Sequence, residues 1–187
     1  NGQLGDGSTT GSPTPIPVDV SGVLSGKEVT TIRAGGGHTC VVAASRAYCW
    51  GWNAFGQIGD GTIAASRPLP TAVDTSGVLD GKNVTAVRVG AYHTCALADG
   101  EAFCWGENVD GQLGDGTTTD SKFPVPVTTA GALAGKTVGG ITVGNSHACV
   151  LADSELLCWG RNSFGQLGDD STTMKSTPTP VDTSGVL

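Results

Sequence analysis

Residues Gly90 to Thr117 read GAYHTCALADGEAFCWGENVDGQLGDGT. If Cys95 opposes Cys104 across an antiparallel pair, Ala98 opposes Glu101 and the connecting loop is Asp99-Gly100. That dipeptide suits a type I′ turn, because both of its positions need φ > 0. Counting outward from the turn, the two cysteines fall at a non-hydrogen-bonded pair, where Cα atoms lie about 4.5 Å apart and a disulfide can close. One face of the hairpin then carries Cys95, Leu97, Ala102 and Cys104, and the other carries Ala96 and Phe103. A strand pair that is apolar on both faces belongs between two layers.

The same stretch recurs along the chain. Gly-Gln-Leu-Gly starts at Gly2, Gly56 (with Ile58 for Leu), Gly111 and Gly165, at intervals of 54, 55 and 54 residues. His38/Cys40, His93/Cys95 and His147/Cys149 keep step with it, as does Cys-Trp-Gly at Cys49, Cys104 and Cys158. Ser-Gly-Val-Leu starts at Ser21, Ser76 and Ser184, and Ala130 to Leu133 is a degraded copy. The hairpin arithmetic transfers to every copy. Cys40 opposes Cys49 about Ala44-Ser45, and Cys149 opposes Cys158 about Asp153-Ser154, with Leu151 and Leu156 on the first face and Val150 and Leu157 on the second. Residues 1–187 thus form one array, with units near 2–55, 56–110 and 111–164 and a partial unit at 165–187. The two ends duplicate each other, so the chain reads as a fragment, or the ordered part, of a longer array.

Further strands are expected upstream of each hairpin, at Val29 to Arg33, Val84 to Val89 and Val138 to Val143. Proline-rich stretches follow it, at Pro15 to Val18, Pro68 to Val73, Pro124 to Val127 and Pro178 to Val181. Proline cannot donate to a ladder, so these are edge strands or an irregular rim. The expected fold is all-β: blades of about four antiparallel strands, each buried by its neighbours, as in a β-propeller.

Composition narrows the function. Charged residues are 14% of the chain, against about 25% in a typical domain, and the net charge is -7. No basic face is available to neutralise phosphates, so no nucleic-acid partner is expected. No apolar run reaches the roughly 18 residues of a spanning helix, so no membrane insertion is expected either. Zinc is a poor account of the cysteines, because structural sites place paired ligands two to four residues apart; here eight residues and a turn intervene. Three hairpin disulfides imply an oxidising compartment.

The string from Gly90 to Thr117 resembles the repeat of the regulator of chromosome condensation (RCC1) family, and the likeness runs through the whole chain. The resemblance implies a seven-bladed propeller, for which repeats of this length would total about 380 residues; this chain holds about three and a half blades. In the founding member the fold promotes nucleotide exchange on a nuclear GTPase and docks on chromatin. The acidic balance, the paired cysteines and the lack of a basic arm argue against a guanine-nucleotide exchange factor here. The chain is closer to secreted bacterial members, one of which inhibits β-lactamases by covering the active site with its loops.

No catalytic constellation accompanies the repeating residues. His38, His93 and His147 recur once per unit and read as blade-core imidazoles bonded to backbone. Trp50, Trp105 and Trp159 read as core. Asp6, Asp60 and Asp115 lie at Asp-Gly turns and Asp169 at the matching Asp-Asp, but they lack the dense acidic spacing of a calcium loop, leaving calcium as the weaker reading. Asn83-Val84-Thr85 matches a glycosylation sequon.

Positions fixed in every copy build the blade, and positions that vary within the same loop are free for recognition. The variable set includes Trp52, Glu107 and Arg161 after Cys-Trp-Gly, and Phe55, Asp110 and Phe164 within Asn-x-x-Gly. Tyr92 and Asn145 vary ahead of the histidine. The expected function is a non-enzymatic, extracellular or cell-surface protein-binding propeller of a bacterium, with inhibition of its partner as one form of that role, that needs no cofactor or metal. The alternative is a structural repeat protein of an extracellular layer or fibre. An open arc would leave apolar faces bare at both end blades, so self-association through them is expected.

Overall fold

The computed structural model describes residues 1–185; Val186 and Leu187, which end the last Ser-Gly-Val-Leu string, lie outside the described residues. Twelve strands form three four-stranded antiparallel sheets in chain order. The first holds β1 (Val29–Ala34), β2 (His38–Ala43), β3 (Arg46–Asn53) and β4 (Ala64–Ala72). The second holds β5 (Val84–Val89), β6 (His93–Ala98), β7 (Glu101–Gly106) and β8 (Ser121–Pro126). The third holds β9 (Val138–Val143), β10 (His147–Ala152), β11 (Glu155–Gly160) and β12 (Lys175–Pro180). Residues 56–110 therefore carry the fourth strand of one blade and the first three of the next, which interlocks neighbours along the chain.

The hairpin register follows from the turn. Cys40↔Cys49, Cys95↔Cys104 and Cys149↔Cys158 stand opposite each other, and all three pairs are disulfides with Cα atoms 4.1 Å apart. Both turn residues take positive φ in every copy, at 48° and 58° for Ala44-Ser45, 48° and 79° for Asp99-Gly100, and 46° and 72° for Asp153-Ser154. The proline-rich stretches fall in β4, β8 and β12, the outermost strand of each sheet, where a missing N–H costs nothing. Pro15 to Val18 forms no strand, having no third strand before it to pair with.

Burial on both faces holds for the second blade and for the central hairpin of the first. Cys40, Val42, Ala47 and Cys49 of the first pack against Val84, Val87, Ala96, Ala98, Phe103 and Trp105 of the second. Cys95, Leu97, Ala102 and Cys104 pack in the same way against Ile141, Val150, Leu157 and Trp159 of the third. Leucines of the two central copies plug the seams, Leu79 at the first boundary and Leu133, which closes a short 3-10 turn (Gly131–Leu133), at the second.

Both end blades expose apolar side chains, as expected of an open arc, though to different extents. The outer face of the first blade is covered in part: Val18 and Leu24 pack on Val41, Tyr48 and Trp50, while Val29 and Ile32 of β1, on the same face, stay 44% and 56% exposed. On the third blade the outer face is open at its hairpin, where Leu151 and Leu156 are 45% and 42% exposed.

Each disulfide closes a loop of sequence separation 9 and restricts the unfolded hairpin. A Cys95→Ala/Cys104→Ala double variant should lose roughly 2–3 kcal/mol in urea denaturation. A reducing agent should shift the parent protein in the same direction without changing its strand content by circular dichroism.

Candidate protein-binding face

The segment between the third and fourth strands is built by a fixed set of side-chain bonds. Asn53 Oδ1 accepts from the Ile58 N–H at 3.0 Å, and Asn53 Nδ2 donates to the Thr62 carbonyl at 3.2 Å. Gln57 Oε1 accepts from the Phe55 N–H at 3.0 Å. Asn108 with Leu113 and Asn162 with Leu167 repeat the first bond, and Gln112 and Gln166 repeat the last. Asp60, Asp115 and Asp169 each accept from the N–H two residues on, at Thr62, Thr117 and Ser171, and from the Asn amide. At Asp60 burial raises the carboxyl pKa, but bonds from Thr62 and Arg67 outweigh it and hold it below the usual carboxylate range. These carboxylates are thus engaged within their own loops. Among the described residues no group of three or more His, Cys, Asp or Glu could hold a metal ion.

The folded loop delivers its backbone to the following blade. The Trp50, Trp105 and Trp159 indole N–H groups donate to the carbonyls of Gln3, Gln57 and Gln112 at 2.8–2.9 Å. The second glycine of the tetrad must be bare, because a Cβ on Gly59 would lie 2.6 Å from Trp105 Nε1. All three tryptophans are buried, as expected of core residues.

The histidines depart from the expected backbone bonding. His38 Nε2 lies 2.7 Å from Thr94 Oγ1, a side chain of the next blade. His93 is fully buried, yet neither ring nitrogen has a partner. The position equivalent to Thr94 in the third blade is Ala148, which has no hydroxyl to offer. A second orphan has the same origin. Gln112 Nε2 donates to Glu107 Oε2 at 3.1 Å, whereas Gln57 Nε2 has no partner, because Trp52 stands where the next blade has Glu107.

In an antiparallel meander, the loops joining strands one to two and three to four lie on the same edge of the blade. The disulfide hairpin turns lie on the other. Backbone bonds tie the two variable sets together there: Trp52 N–H to Gly37 O (2.8 Å), Glu107 N–H to Tyr92 O (3.0 Å) and Arg161 N–H to Ser146 O (2.8 Å). Neighbouring blades are joined on this edge by Gly36 N–H to Gly90 O (3.2 Å) and Ala91 N–H to Asn145 O (3.1 Å). The topology thus gathers Trp52, Phe55, Tyr92, Glu107, Asp110, Asn145, Arg161 and Phe164 on one rim, in three groups.

Trp52, Phe55 and Tyr92 are half-buried and pack together across the first blade boundary, with ring centroids 5.0–5.8 Å apart. Glu107 and Asp110, both half-buried, follow on the second blade. Burial, then Asp120 and Asp110, raise the Glu107 carboxyl above its usual range against the bond from Gln112. On the third blade Asn145 and Arg161 are exposed, and Phe164 is 86% exposed with the Arg161 guanidinium 5.9 Å from its ring centroid. Asp120, which flanks Glu107, lay outside the variable positions that comparison of copies singles out. Its signal was available as an acidic residue just ahead of β8.

Twelve strands in three disulfide-stapled blades, each wedged by the loop of its neighbour, define an arc of β-propeller blades. The regulator of chromosome condensation (RCC1) repeat matches residues 1–42, 45–97 and 99–151, and a second form of that repeat matches 29–57, 84–112 and 140–166. The chain belongs to the RCC1 repeat family. It is 32% identical over 190 residues to the ultraviolet-B receptor UVR8 of Arabidopsis thaliana, covering 99% of this chain and 41% of that protein. It is 34% identical over 156 residues to the E3 ubiquitin-protein ligase HERC2 of Homo sapiens, covering 82% of this chain and 3% of that one. Human WBSCR16 superposes with a TM-score of 0.81 at 24% identity, covering 98% of this chain and 47% of that chain. Prp20p of Saccharomyces cerevisiae superposes with a TM-score of 0.72 at 17% identity, covering 84% and 39%. The chain spans less than half the length of each, and the two solved structures share its fold.

His38 and His93 have pKa values pushed down to about 3, His38 by burial and His93 by burial and the charges of His38 and His147. Below the unfolded value of 6.5 the unfolded chain takes up protons that the native state refuses. Stability should be level above that pH and fall as pH drops from 6.5 toward 3, by several kcal/mol for the pair. Urea midpoints at neutral and acidic pH measure this. Ala148→Thr, which offers His93 a hydroxyl, should raise the neutral midpoint by about 1 kcal/mol.

Proposed function

We propose that the chain is a non-enzymatic binding module that engages a protein partner through the rim bearing its variable loops, in an extracellular or cell-surface setting and in a bacterium. One observation carries the reading. Side chains common to the copies are consumed by blade cores and loop closure, while those that differ converge on one edge and stay at least partly accessible. Loops held by a rigid scaffold are the usual place for recognition. RCC1-like propellers are mostly interaction modules, and the Prp20p structure is described together with binding to Gsp1p and histones. Three disulfides favour an oxidising compartment, hence the extracellular assignment. A partner that is itself an enzyme, inhibited by coverage of its active site, fits such a face.

The open outer face of the third blade favours a second reading, a structural array in which another blade or a second copy covers Leu151 and Leu156. Sedimentation velocity over a range of concentrations separates the two. Association that grows with concentration and disappears in Leu151→Ser/Leu156→Ser supports the array, and a monomer at all concentrations removes it.

For the binding reading, Trp52→Ala or Tyr92→Ala should weaken capture of a native partner about tenfold or more, because central aromatic anchors typically contribute 2 kcal/mol or more. Both variants should keep the parent melting temperature. Trp105→Ala, which removes a buried ring and its bond to Gln57, should unfold the blade boundary instead. Unchanged affinity in both rim variants would remove the proposal.

A further inference from the structure

We infer that the rim at the first blade boundary recognises a cationic side chain, an arginine or lysine from a basic segment of the partner, held between the aromatic cluster of Trp52, Phe55 and Tyr92 and the carboxylate of Glu107. The inference rests on the protein-binding reading above and names the class of partner. Three observations support it.

The first is the cluster itself. Three half-buried rings from two blades meet with centroids 5.0–5.8 Å apart, and the electron-rich faces of tryptophan and tyrosine attract cations. The second is uncompensated charge beside it. The Glu107 N–H is bonded to the Tyr92 carbonyl at 3.0 Å, so the carboxylate and the phenol stem from adjoining backbone. Asp110 and Asp120 lie close enough to act on Glu107, and among the described residues none of the three carboxylates forms an ion pair. A basic segment lying along this rim would offer cations to the rings and to the adjoining carboxylates, the pairing that makes charge-assisted recognition strong.

The third observation comes from the next copy of the same loop. Arg161 and Phe164 occupy the positions of Trp52 and Phe55, and the Arg161 guanidinium lies 5.9 Å from the Phe164 ring centroid. The loop frame therefore already presents a ring at a distance suited to a cation. On the first blade the cation position is replaced by a further ring, and the charge must come from outside. The net charge of -7 favours the approach of a basic partner over a broad range.

The test uses the 187-residue chain and a synthetic peptide of four Gly-Arg repeats, with Gly-Gln and Gly-Glu peptides of equal length as controls. Binding is followed by tryptophan fluorescence and by amide and indole NMR shifts. The arginine peptide should bind and the controls should not, with shifts concentrated at Trp52, Tyr92 and Glu107. Glu107→Gln and Tyr92→Leu should each weaken binding about fivefold or more at unchanged melting temperature, and Tyr92→Phe should retain it. Raising salt from about 0.05 to about 0.3 M should weaken binding further. Shifts spread over the whole surface, equal binding of the Gly-Gln peptide, or insensitivity to Glu107→Gln would each overturn the inference. If the arginine peptide fails while a native partner is still lost in Trp52→Ala, the protein-binding reading stands and the cationic class falls. If that partner is indifferent to Trp52→Ala and Tyr92→Ala, the protein-binding reading falls as well.

Discussion

The contact on which the array depends is a backbone carbonyl held against an indole. Each of the first three Gly-Gln-Leu-Gly loops turns its glutamine carbonyl to the Trp Nε1 of the following blade, and its last glycine leaves no Cβ to collide with the ring. A blade is therefore finished only by residues of the unit before it. The packing of Ile58 and Trp105 in one cluster, and of Leu113 and Trp159 in another, repeats that contact at both boundaries. Asparagine, glutamine and aspartate within the loop exist to hold its backbone in the shape that reaches the indole. Their recurrence needs no ligand to explain it.

Because the contact is made by backbone, the side chains at intervening positions are free to differ. That division of labour leaves the rim variable without loosening the core. It also has a visible cost where a copy departs from the pattern at a position that served its neighbour. Ala148 deprives His93 of a hydroxyl, and Trp52 deprives Gln57 of a carboxylate. Both orphaned groups are buried, where an unmade hydrogen bond costs most. The second exchange coincides with the gathering of the aromatic cluster, so the local cost falls where the rim acquires its most distinctive surface.

Much of the blade was legible in the sequence, because a two-residue turn fixes the register of every residue outward from it. Three cysteine pairs and the two apolar faces follow from that arithmetic, and the strands at Val84 and Val138 from their own short β-rich runs. The proline stretches pointed to outer strands for the equally simple reason that proline lacks a donor. The histidine bonds were not legible, since the partner of His38 lies 56 residues away on a neighbouring blade. Nor was the partial cover of the first blade, which depends on how Val18 and Leu24 fold back on Tyr48 and Trp50. Comparison of copies brought out the variable positions, but the meeting of Trp52 with Tyr92 required the spacing between blades.

The disulfides all lie within hairpins and none crosses a blade boundary. Under tension, then, apart from the linking backbone itself, neighbouring blades are held together by noncovalent contacts: the loop on the indole, a few backbone bonds on the rim, and the leucine plugs. A pulled array would part at these seams first. Each oxidised hairpin would keep its inner residues, with a sequence separation of 9, out of the extended chain, withholding about 30 Å of contour per blade. Redox state thus sets how far a blade can be drawn out, and the carbonyl-to-indole contacts set the load at which blades separate.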